Sequence, residues 1–426
     1  MSTSRVSNPS VERRADLDAL RVGAIYLLFL FHVAKIYDPR PFQHYWSPDL
    51  IPGLDEITGV FVIWRMPLLF LIAGWSAVLS FRSRGLAVFL RERVRRIALP
   101  LFFGAVFLCP LIKYIELRSG VYMGLRGRGA TAALQEAHGS LQAYALPIIE
   151  PYAASFYSFL PKFYTSLSFF TWSHLWFLVY LLVFTSIAAP LLARIADAPA
   201  KPARYPLLWL CFPAFFLAVS EAVLRPHWPN NLTLINDWAN MARYSLYFLI
   251  GIVWARHGVL GKLMRELWPY ALTAAVLLFT THKLLAGGLA SHATVQRLVV
   301  YGLPAAAGWF FILFLLGITA RFMERGSPLL ATLSGTVLPV YILHQPIIIV
   351  TAYFLDDLAL HVSARLVLIF CMSLIVTLAI VRGPAQRFAI LRAGFGLGAS
   401  AAASWGAAVS AALFVAMVLL ISSGNS

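Results

Sequence analysis

An arginine and a histidine share one face of the first apolar helix that the sequence predicts. Arg21 and His32 stand eleven positions apart in LDALRVGAIYLLFLFHV; at 100° per residue they face the same side, roughly 16 Å apart along the axis. Asp18 precedes Arg21 by one turn and can pair with it. Ionisable residues inside apolar spans are costly and by default indicate a functional site. The face predicts a polar path; the alternative is a snorkelling Arg21 and a hydrogen-bonded core histidine.

Other apolar runs carry polar side chains in the halves that we assign to the outer side of a membrane. These side chains are Arg65, Ser173, His174, Glu221, Asn240, Arg243, Tyr341, His344 and Gln345. Histidine exchanges protons near neutral pH and can act as a general base on a hydroxyl. A guanidinium can bind an anionic group or stabilise an oxyanion. The set therefore predicts a reaction chamber or a transport site.

Metal chemistry is not predicted. The three histidines His32, His174 and His344 fall on different runs, without local ligand spacing or an added cysteine or carboxylate motif. Cys109, Cys211 and Cys371 are scattered, and each lies within an apolar run, which argues against both a disulfide framework and a metal site. We expect the cysteines to be small hydrophobic residues of the core.

A strongly basic segment lies between the second and third apolar runs. FRSRGLAVFLRERVRRIALP contains six arginines, among them Arg93 and Arg96 at the mouth of the third run. Because the planar guanidinium binds phosphate through paired hydrogen bonds, the two are candidates for binding a phosphorylated donor. The other interpretation is topology determination and contact with anionic lipid.

The composition defines the elements that must position these residues. Of the 426 residues, 60% are hydrophobic and 12% are charged, with a mean hydropathy of +0.77. Soluble domains carry about twice this charged fraction, so an ordinary soluble enzyme is excluded. Stretches of about 20 apolar residues can each span a bilayer. The candidate spans are 17–36, 57–80, 97–117, 167–189, 206–224, 238–257, 268–285, 297–319, 329–354, 359–382 and 396–422.

The sequence thus predicts an all-α fold, a polytopic transmembrane helix bundle of about 10–11 spans. Residues 1–16 form a cytoplasmic tail, 17–393 the membrane domain, and 394–426 an extra span rich in alanine and glycine. The net charge of +16 would suggest nucleic acid in a soluble domain. In a membrane protein, lysine and arginine collect in cytoplasmic loops. Their distribution predicts a cytoplasmic N-terminus and the lipid bilayer as partner, with no nucleic acid.

Five segments, in this order, resemble the acyltransferase-3 family of integral membrane acyltransferases. They are LDALRVGAIYLLFLFHVAKIYD, WRMPLLFLIAGWS, FLRERVRRIALP, SHLWFLVYLLV and SGTVLPVYILHQPI. The resemblance covers about residues 15–395, and its closest branch is the glucans biosynthesis protein C type, which is associated with succinylation of periplasmic glucans. It implies transfer of a succinyl or acetyl group from cytoplasmic acyl-CoA to a hydroxyl of an extracytoplasmic glucan or other carbohydrate. The implied location is the bacterial inner membrane, with acyl-CoA as donor substrate and no bound cofactor.

The resemblance also implies roles for individual residues. His32 takes the role of catalytic histidine, with Arg21 as its motif partner and Asp18 beside it. Arg93 and Arg96 take part in the donor site. His174, Trp176 and His344 match recurrent positions of the family. The residues that we place along the acceptor chamber are Arg65, His174, Trp176, Arg243, Tyr341 and His344.

The alternative function is a secondary transporter or exporter of a sugar or an anionic substrate. Intramembrane histidine, arginine and glutamate also mark proton relays and substrate paths. Transporters often show paired halves with helices broken at equivalent positions, and the sequence shows no such pairing. Transfer of labelled acyl groups to a glycan separates the two functions.

Overall fold

The chain folds into helices. The structure, a computed structural model, describes residues 14–40, 44–119, 154–166, 169–195, 204–230, 232–256, 259–286, 293–323 and 325–397. Within these ranges there are helices and no strands, which confirms the predicted all-α fold. The helices are α1 (Ala15–Ile36), α2 (Leu54–Arg93), α3 (Leu99–Phe107), α4 (Cys109–Arg118), α5 (Phe156–Thr165), α6 (Trp176–Ile195), α7 (Pro206–Leu224), α8 (Trp238–Trp254), α9 (Val259–Leu285), α10 (Ala293–Arg297), α11 (Leu303–Phe322), α12 (Pro328–Leu355), α13 (Val362–Arg382), α14 (Pro384–Arg387) and α15 (Ala389–Gly394).

Seven helical stretches of the described chain are long and apolar enough to cross a membrane. They are Ala15–Ile36, Leu54–Arg118, Ser173–Ile195, Pro206–Leu224, Ala293–Phe322, Pro328–Leu355 and Val362–Arg387. One stretch, Leu54–Arg118, contains the two predicted spans 57–80 and 97–117. Helices α8 and α9 lie where the spans 238–257 and 268–285 are predicted, but they are not among these seven stretches. The predicted span 396–422 lies beyond the described residues, apart from its first two.

Contacts along α1 fix the directions of its two main neighbours. On α2, Trp75 packs against Arg14 and Arg65 against Phe31, so α1 and α2 are antiparallel. On α12, Ser334 accepts a hydrogen bond from Arg21, whereas His344 stacks near His32, so α1 and α12 are parallel. The bundle therefore has two ends: one that holds Arg21, called here the Arg21 end, and one that holds His32, called here the His32 end.

Two glycines allow α2 and α8 to pack backbone against backbone. A Cβ atom at Gly74 would lie 2.0 Å from the carbonyl oxygen of Phe248, and one at Gly251 would lie 2.0 Å from that of Leu71. Both distances are far shorter than any van der Waals contact. Small residues give this close approach between membrane helices, so these positions fix how α2, which holds Arg65, sits against α8.

The basic segment between the second and third predicted spans is helical rather than an open loop. Its chain turns at Gly85, whose φ of 73° and ψ of 173° break the helical conformation inside α2. A residue with a Cβ is strained at such a φ. The arginines after the turn lie on the last residues of α2 and on a short π-helix, Val94–Ala98, which leads into α3.

The cysteine prediction is only partly correct. All three cysteines are free, and Cys109 is buried as expected, but Cys211 and Cys371 are exposed on the surface of the helices. A thiol on a lipid-facing surface costs little because its surroundings are as apolar as a protein core. Hydropathy alone does not distinguish these two apolar environments.

The connection after α1 is anchored by a buried carboxylate. Asp38 accepts hydrogen bonds from Lys35 at 2.7 Å and from Thr58 of α2 at 2.5 Å. Burial alone would raise the pKa of Asp38, but the Lys35 and Thr58 hydrogen bonds outweigh it and lower the pKa below its usual value. The carboxylate therefore stays charged and joins the His32 ends of α1 and α2.

Candidate active site

Three histidines from separate parts of the chain meet at the His32 end. His344 on α12 is central: its ring centroid lies 5.1 Å from that of His32 on α1 and 5.2 Å from that of His174. The Tyr341 ring, one helical turn before His344, lies 5.7 Å away. We call His32, His174 and His344 the histidine cluster. Its members share no local sequence spacing, so only the tertiary fold brings them together.

The main chain fixes the tautomer of His344. Its Nδ1 lies 2.5 Å from the carbonyl oxygen of Tyr341. A carbonyl oxygen only accepts, so Nδ1 carries the hydrogen, and in the neutral ring Nε2 keeps its lone pair. Nε2 is buried and has no hydrogen-bond partner among the described residues. A buried unpaired acceptor is uncommon and is available to a substrate hydroxyl or a water.

His174 is held in place by a carbonyl that a proline leaves free. Its Nε2 donates to the carbonyl oxygen of Ile342 at 2.9 Å. Pro346, four residues after Ile342, has no N–H, so the helix itself cannot use this carbonyl. The Tyr341 hydroxyl in turn donates to the main-chain carbonyl of His174. Nδ1 of His174 is left as a buried acceptor without a hydrogen-bond partner within the described chain.

Arg65 brings a buried positive charge to the same end. Its side chain is 4% exposed, and its guanidinium carbon lies 3.7 Å from the centroid of the Phe31 ring. Nε and Nη1 are buried and, within the described residues, lack hydrogen-bond partners. Because an uncompensated buried charge is costly, Arg65 is suited to an anionic group that enters the site.

A second proline-freed carbonyl holds Arg243 of α8. Nη2 of Arg243 donates to the carbonyl oxygen of Ile63 at 3.0 Å. Pro67 stands four residues after Ile63 on α2 and cannot supply the usual helical N–H. Arg243 is therefore tied to the α2 backbone one turn before Pro67, beside the chamber rather than within the histidine cluster.

Trp176 forms part of an aromatic layer next to the cluster. Its ring centroid lies 5.2 Å from that of Tyr244 and 6.2 Å from that of Phe70. The neighbouring Phe177 packs against Tyr341 at 5.8 Å. Of the predicted chamber residues, the structure thus brings together Arg65, His174, Tyr341 and His344, while Trp176 and Arg243 pack in the adjacent layer.

Arg21 lies at the opposite end of α1. Its Nη2 donates to Asp18 at 2.8 Å, as the one-turn spacing predicts, and also to the hydroxyl of Ser334 at 2.6 Å. The Arg21 side chain remains 35% exposed. Ser334 opens the segment SGTVLPVYILHQPI, but its contact with Arg21 was not predicted, because a serine near the start of an apolar helix does not reveal its partner. Arg21 and His32 thus belong to different ends of the bundle.

The predicted donor-binding arginines also lie at the Arg21 end. Arg93 is half-buried against Phe89, with 4.7 Å from the guanidinium carbon to the ring centroid. The Arg96 side chain is 60% exposed, and its Nε lies 4.0 Å from a carboxylate oxygen of Glu92. Gly396 packs between the backbone of Arg96 and Leu338 of α12: a Cβ atom built on Gly396 would lie 3.6 Å from the Arg96 Cα and near the Leu338 side chain. This contact places Arg96 beside the first half of α12. The arginines therefore border the end that Arg21 occupies.

The polar residues Glu221 and Asn240, also noted in the sequence, belong to a hydrogen-bonded network around Arg225. Arg225 binds Glu221 through two hydrogen bonds of 2.8 Å and donates to the Asn240 side-chain oxygen at 2.9 Å. Asn240 donates in turn to Asp237. These pairs join α7 to α8 and brace the two helices, although Nη1 of Arg225 is buried without a hydrogen-bond partner among the described residues.

One polar group at the His32 end was missed by the sequence analysis. His44, in the connection after α1, lies between Ser173 and Glu116: its Nε2 is 2.8 Å from the Ser173 hydroxyl, and its Nδ1 is hydrogen-bonded to the Glu116 carboxylate. Lys113 also pairs with Glu116. His44 lies outside the apolar runs, and the three partners are far apart in sequence, so only the Lys113–Glu116 spacing offered a signal.

An apolar helix bundle that encloses buried histidines and a guanidinium with no ion-pair partner among the described residues is typical of an integral membrane enzyme or transporter. The family model described as an acyltransferase domain, that of the acyltransferase-3 family, matches residues 14–382. The match covers most of the chain, so the protein belongs to this family: it is a multi-pass membrane acyltransferase that transfers groups other than aminoacyl groups. No curated protein and no solved structure is significantly similar to the chain. Within the ranges described, no three His, Cys, Asp or Glu side chains are grouped to hold a metal ion.

Proposed function

We propose that the protein moves a succinyl or acetyl group from cytoplasmic acyl-CoA to a hydroxyl of an extracytoplasmic glucan or other carbohydrate. The observation that supports it best is the division of the polar residues between the two ends of one bundle. Arg21 and the arginines of the basic segment lie at the Arg21 end, whereas the histidine cluster and the buried Arg65 lie at the His32 end. With the N-terminus in the cytoplasm of a bacterium and the bundle in its inner membrane, the first end faces the donor and the second faces the acceptor.

The donor is proposed to bind at the Arg21 end. CoA carries phosphates, and the exposed Arg96 with its neighbour Arg93 suits them because guanidinium pairs well with phosphate oxygens. The acyl-pantetheine arm would pass Asp18 and Arg21 into the bundle. Arg21 and His32 are separated by roughly 16 Å along α1, which an extended pantetheine arm can cover. The thioester would then lie beside the histidine cluster.

The chemistry at the histidine cluster is proposed to be general-base catalysis. His32 accepts the proton of the acceptor hydroxyl as its oxygen attacks the acyl carbonyl carbon. The negative charge that develops on the carbonyl oxygen, or the carboxylate of a succinyl group, suits the unpaired guanidinium of Arg65. We expect His344, whose Nδ1 hydrogen is bonded to the Tyr341 carbonyl, to orient the acceptor through its Nε2 lone pair.

The decisive experiment compares carbohydrates from cells that produce the wild type, His32→Ala or neither. Mass spectrometry of periplasmic glucans and surface polysaccharides should show an added acyl mass only with the wild type. His227→Ala is the matched control, because His227 is exposed beyond α7 and should leave acylation intact. Normal acylation by a membrane-inserted His32→Ala protein would refute the assignment.

Transport of a sugar or an anionic substrate is the second candidate, since the histidines and Arg65 also suit a polar substrate path. The two functions differ chemically. Purified protein supplied with labelled acyl-CoA and a glucan should pass the label to the glucan. A protein that moves the glucan or the anion across a vesicle membrane without acylating it would be a transporter.

A further inference from the structure

Ser173, His44 and Glu116 form a chain of hydrogen bonds with the order of a serine nucleophile, its base and the carboxylate that orients the base. The Ser173 Oγ lies 2.8 Å from Nε2 of His44. Nδ1 of the same ring is hydrogen-bonded to the Glu116 carboxylate. Such a group is recognised by its geometry and not by sequence position, and here the three residues come from three separate segments.

The three residues of this hydrogen-bonded series differ in burial in the way that a nucleophile and its supporting groups require. Glu116 is 0% exposed and His44 is 7% exposed, whereas Ser173 is only partly buried. The pair of Glu116 with Lys113 keeps the carboxylate charged and fixed. The carboxylate and the imidazole are thus shielded, while Ser173 is the least buried of the three residues.

The connection that holds His44 is fastened to the bundle on both sides of the histidine. Ser47 N–H donates to the carbonyl oxygen of Ile36 at 3.0 Å. Further along, the Asp49 carboxylate pairs with Arg365 of α13. Before the histidine, the Tyr37 hydroxyl donates to Asp356 at 2.8 Å. His44 is therefore held rather than resting by chance against Ser173.

The backbone at Ser173 is itself unusual. Its φ is +45°, in the left-handed region that residues with a Cβ seldom adopt. The Ser173 N–H donates to the Thr171 hydroxyl at 2.9 Å, and His174, the next residue, belongs to the histidine cluster. Strained positions of this kind concentrate at functional sites, and here the strain aims Ser173 at His44 and His174 at α12.

We propose that Ser173 is the nucleophile of a covalent step: it carries the acyl group as an ester, with His44 as its general base and Glu116 as a positioning residue. The inference rests on the proposed acyl transfer and deepens it, because transfer becomes two half-reactions. The substrate class is an acyl thioester for the first half-reaction and a carbohydrate hydroxyl for the second.

The two half-reactions balance in atoms and protons. In the first, the Ser173 oxygen bonds to the acyl carbon, its proton passes to His44, and the carbon–sulfur bond breaks; protonated His32 gives its proton to the departing thiolate. In the second, the acceptor oxygen bonds to the acyl carbon and gives its proton to His32. The ester bond to Ser173 then breaks, and His44 returns its proton to the serine oxygen.

A serine-directed fluorophosphonate and labelled acyl-CoA test this step on the purified full-length protein. Attack by Ser173 displaces fluoride and leaves a phosphonate mass on the peptide that contains residue 173. Without acceptor, acyl-CoA should leave an acyl mass on the same peptide. Both masses should be lost in Ser173→Ala and retained in Ser158→Ala, whose exposed serine lies on α5. His44→Ala should slow both labelling reactions by about 100-fold or more.

The positioning role of Glu116 must be tested with a measurement that a purely structural role would leave unchanged. Glu116→Gln should slow phosphonate labelling by at least about tenfold and alter its pH profile, because glutamine no longer holds the His44 imidazolium. Glu116→Asp should recover part of the rate. Equal labelling rates and pH profiles in the wild type and Glu116→Gln would show that the contact only supports the fold, and would overturn this part of the proposal.

The outcomes separate this inference from the proposed function. Acyl transfer to glucan by the wild type, with no acyl or phosphonate mass at Ser173, would overturn the covalent step and leave the proposed function standing. Wild-type transfer rates in Ser173→Ala would do the same. Phosphonate at Ser173 without any transfer from acyl-CoA would support the nucleophile and overturn acyl-CoA transfer.

Discussion

Replacing Pro346 by alanine should disturb the placement of His174 without destabilising α12. In the wild type, Pro346 has no N–H, and the carbonyl of Ile342 accepts from Nε2 of His174 at 2.9 Å. The Pro346→Ala variant would supply an N–H four residues after Ile342, where the helix can bond it to that carbonyl. The histidine would then compete with the main chain for its acceptor.

The variant should lose activity without losing stability. A hydrogen bond of this kind contributes about 0.5–1.5 kcal/mol net, and about 1.4 kcal/mol corresponds to a factor of ten in rate. The rate of acyl transfer by Pro346→Ala should therefore fall by about 2- to 10-fold. A proline inside a helix is about 3 kcal/mol less favourable than alanine, so the variant should unfold at an unchanged or higher temperature.

The assay measures labelled acyl transfer and thermal unfolding on the same purified preparations. Pro339→Ala is the matched control, because Pro339 lies on the same helix, one heptad before Pro346. It should gain stability without the loss in rate. An unchanged rate in Pro346→Ala, or equal losses in both variants, would refute the view that the proline positions His174.

Three further predictions test other parts of the structure. Arg93→Ala combined with Arg96→Ala should raise the KM for acyl-CoA several-fold with little effect on acceptor KM; unchanged donor dependence would leave these arginines a topological role. Gly74→Leu should abolish the monodisperse purified protein, whereas Gly23→Leu, at an open position, should preserve it; equal yields would contradict the α2–α8 contact. Because the folded-state pKa of Asp38 is lowered, its stabilisation is complete above the unfolded pKa, about 3.9, and is lost as pH falls through the folded pKa. Asp38→Asn should weaken the acid dependence of Tm, and identical Tm–pH curves would exclude this contribution.

The sequence was sufficient where the signal is local. Apolar runs predicted the all-α bundle, and the one-turn spacing predicted the Asp18–Arg21 pair, which the structure confirms. Helical periodicity also placed Arg21 and His32 on one face. Each of these inferences depends on neighbours within a single helix, where geometry is fixed by the rise and rotation per residue.

The sequence was insufficient where partners are distant. His44 and Glu116 occupy a connection and the end of a helix, and only tertiary packing brings them to Ser173. Pro67 and Pro346 stand in the segments that carry the family resemblance, but their effect on Arg243 and His174 requires knowing which side chain reaches the freed carbonyl. Likewise, hydropathy could not tell a lipid-facing thiol from a buried one.

The most direct test of acyl transfer through this bundle uses proteoliposomes with the donor and the acceptor on opposite sides. Labelled acyl-CoA is supplied on the side of the Arg21 end and glucan on the side of the His32 end, with His32→Ala and His227→Ala in parallel. Labelled glucan is expected with the wild type and His227→Ala, and none with His32→Ala. Failure of the wild type to label glucan, or equal labelling by His32→Ala, would contradict acyl transfer through this bundle.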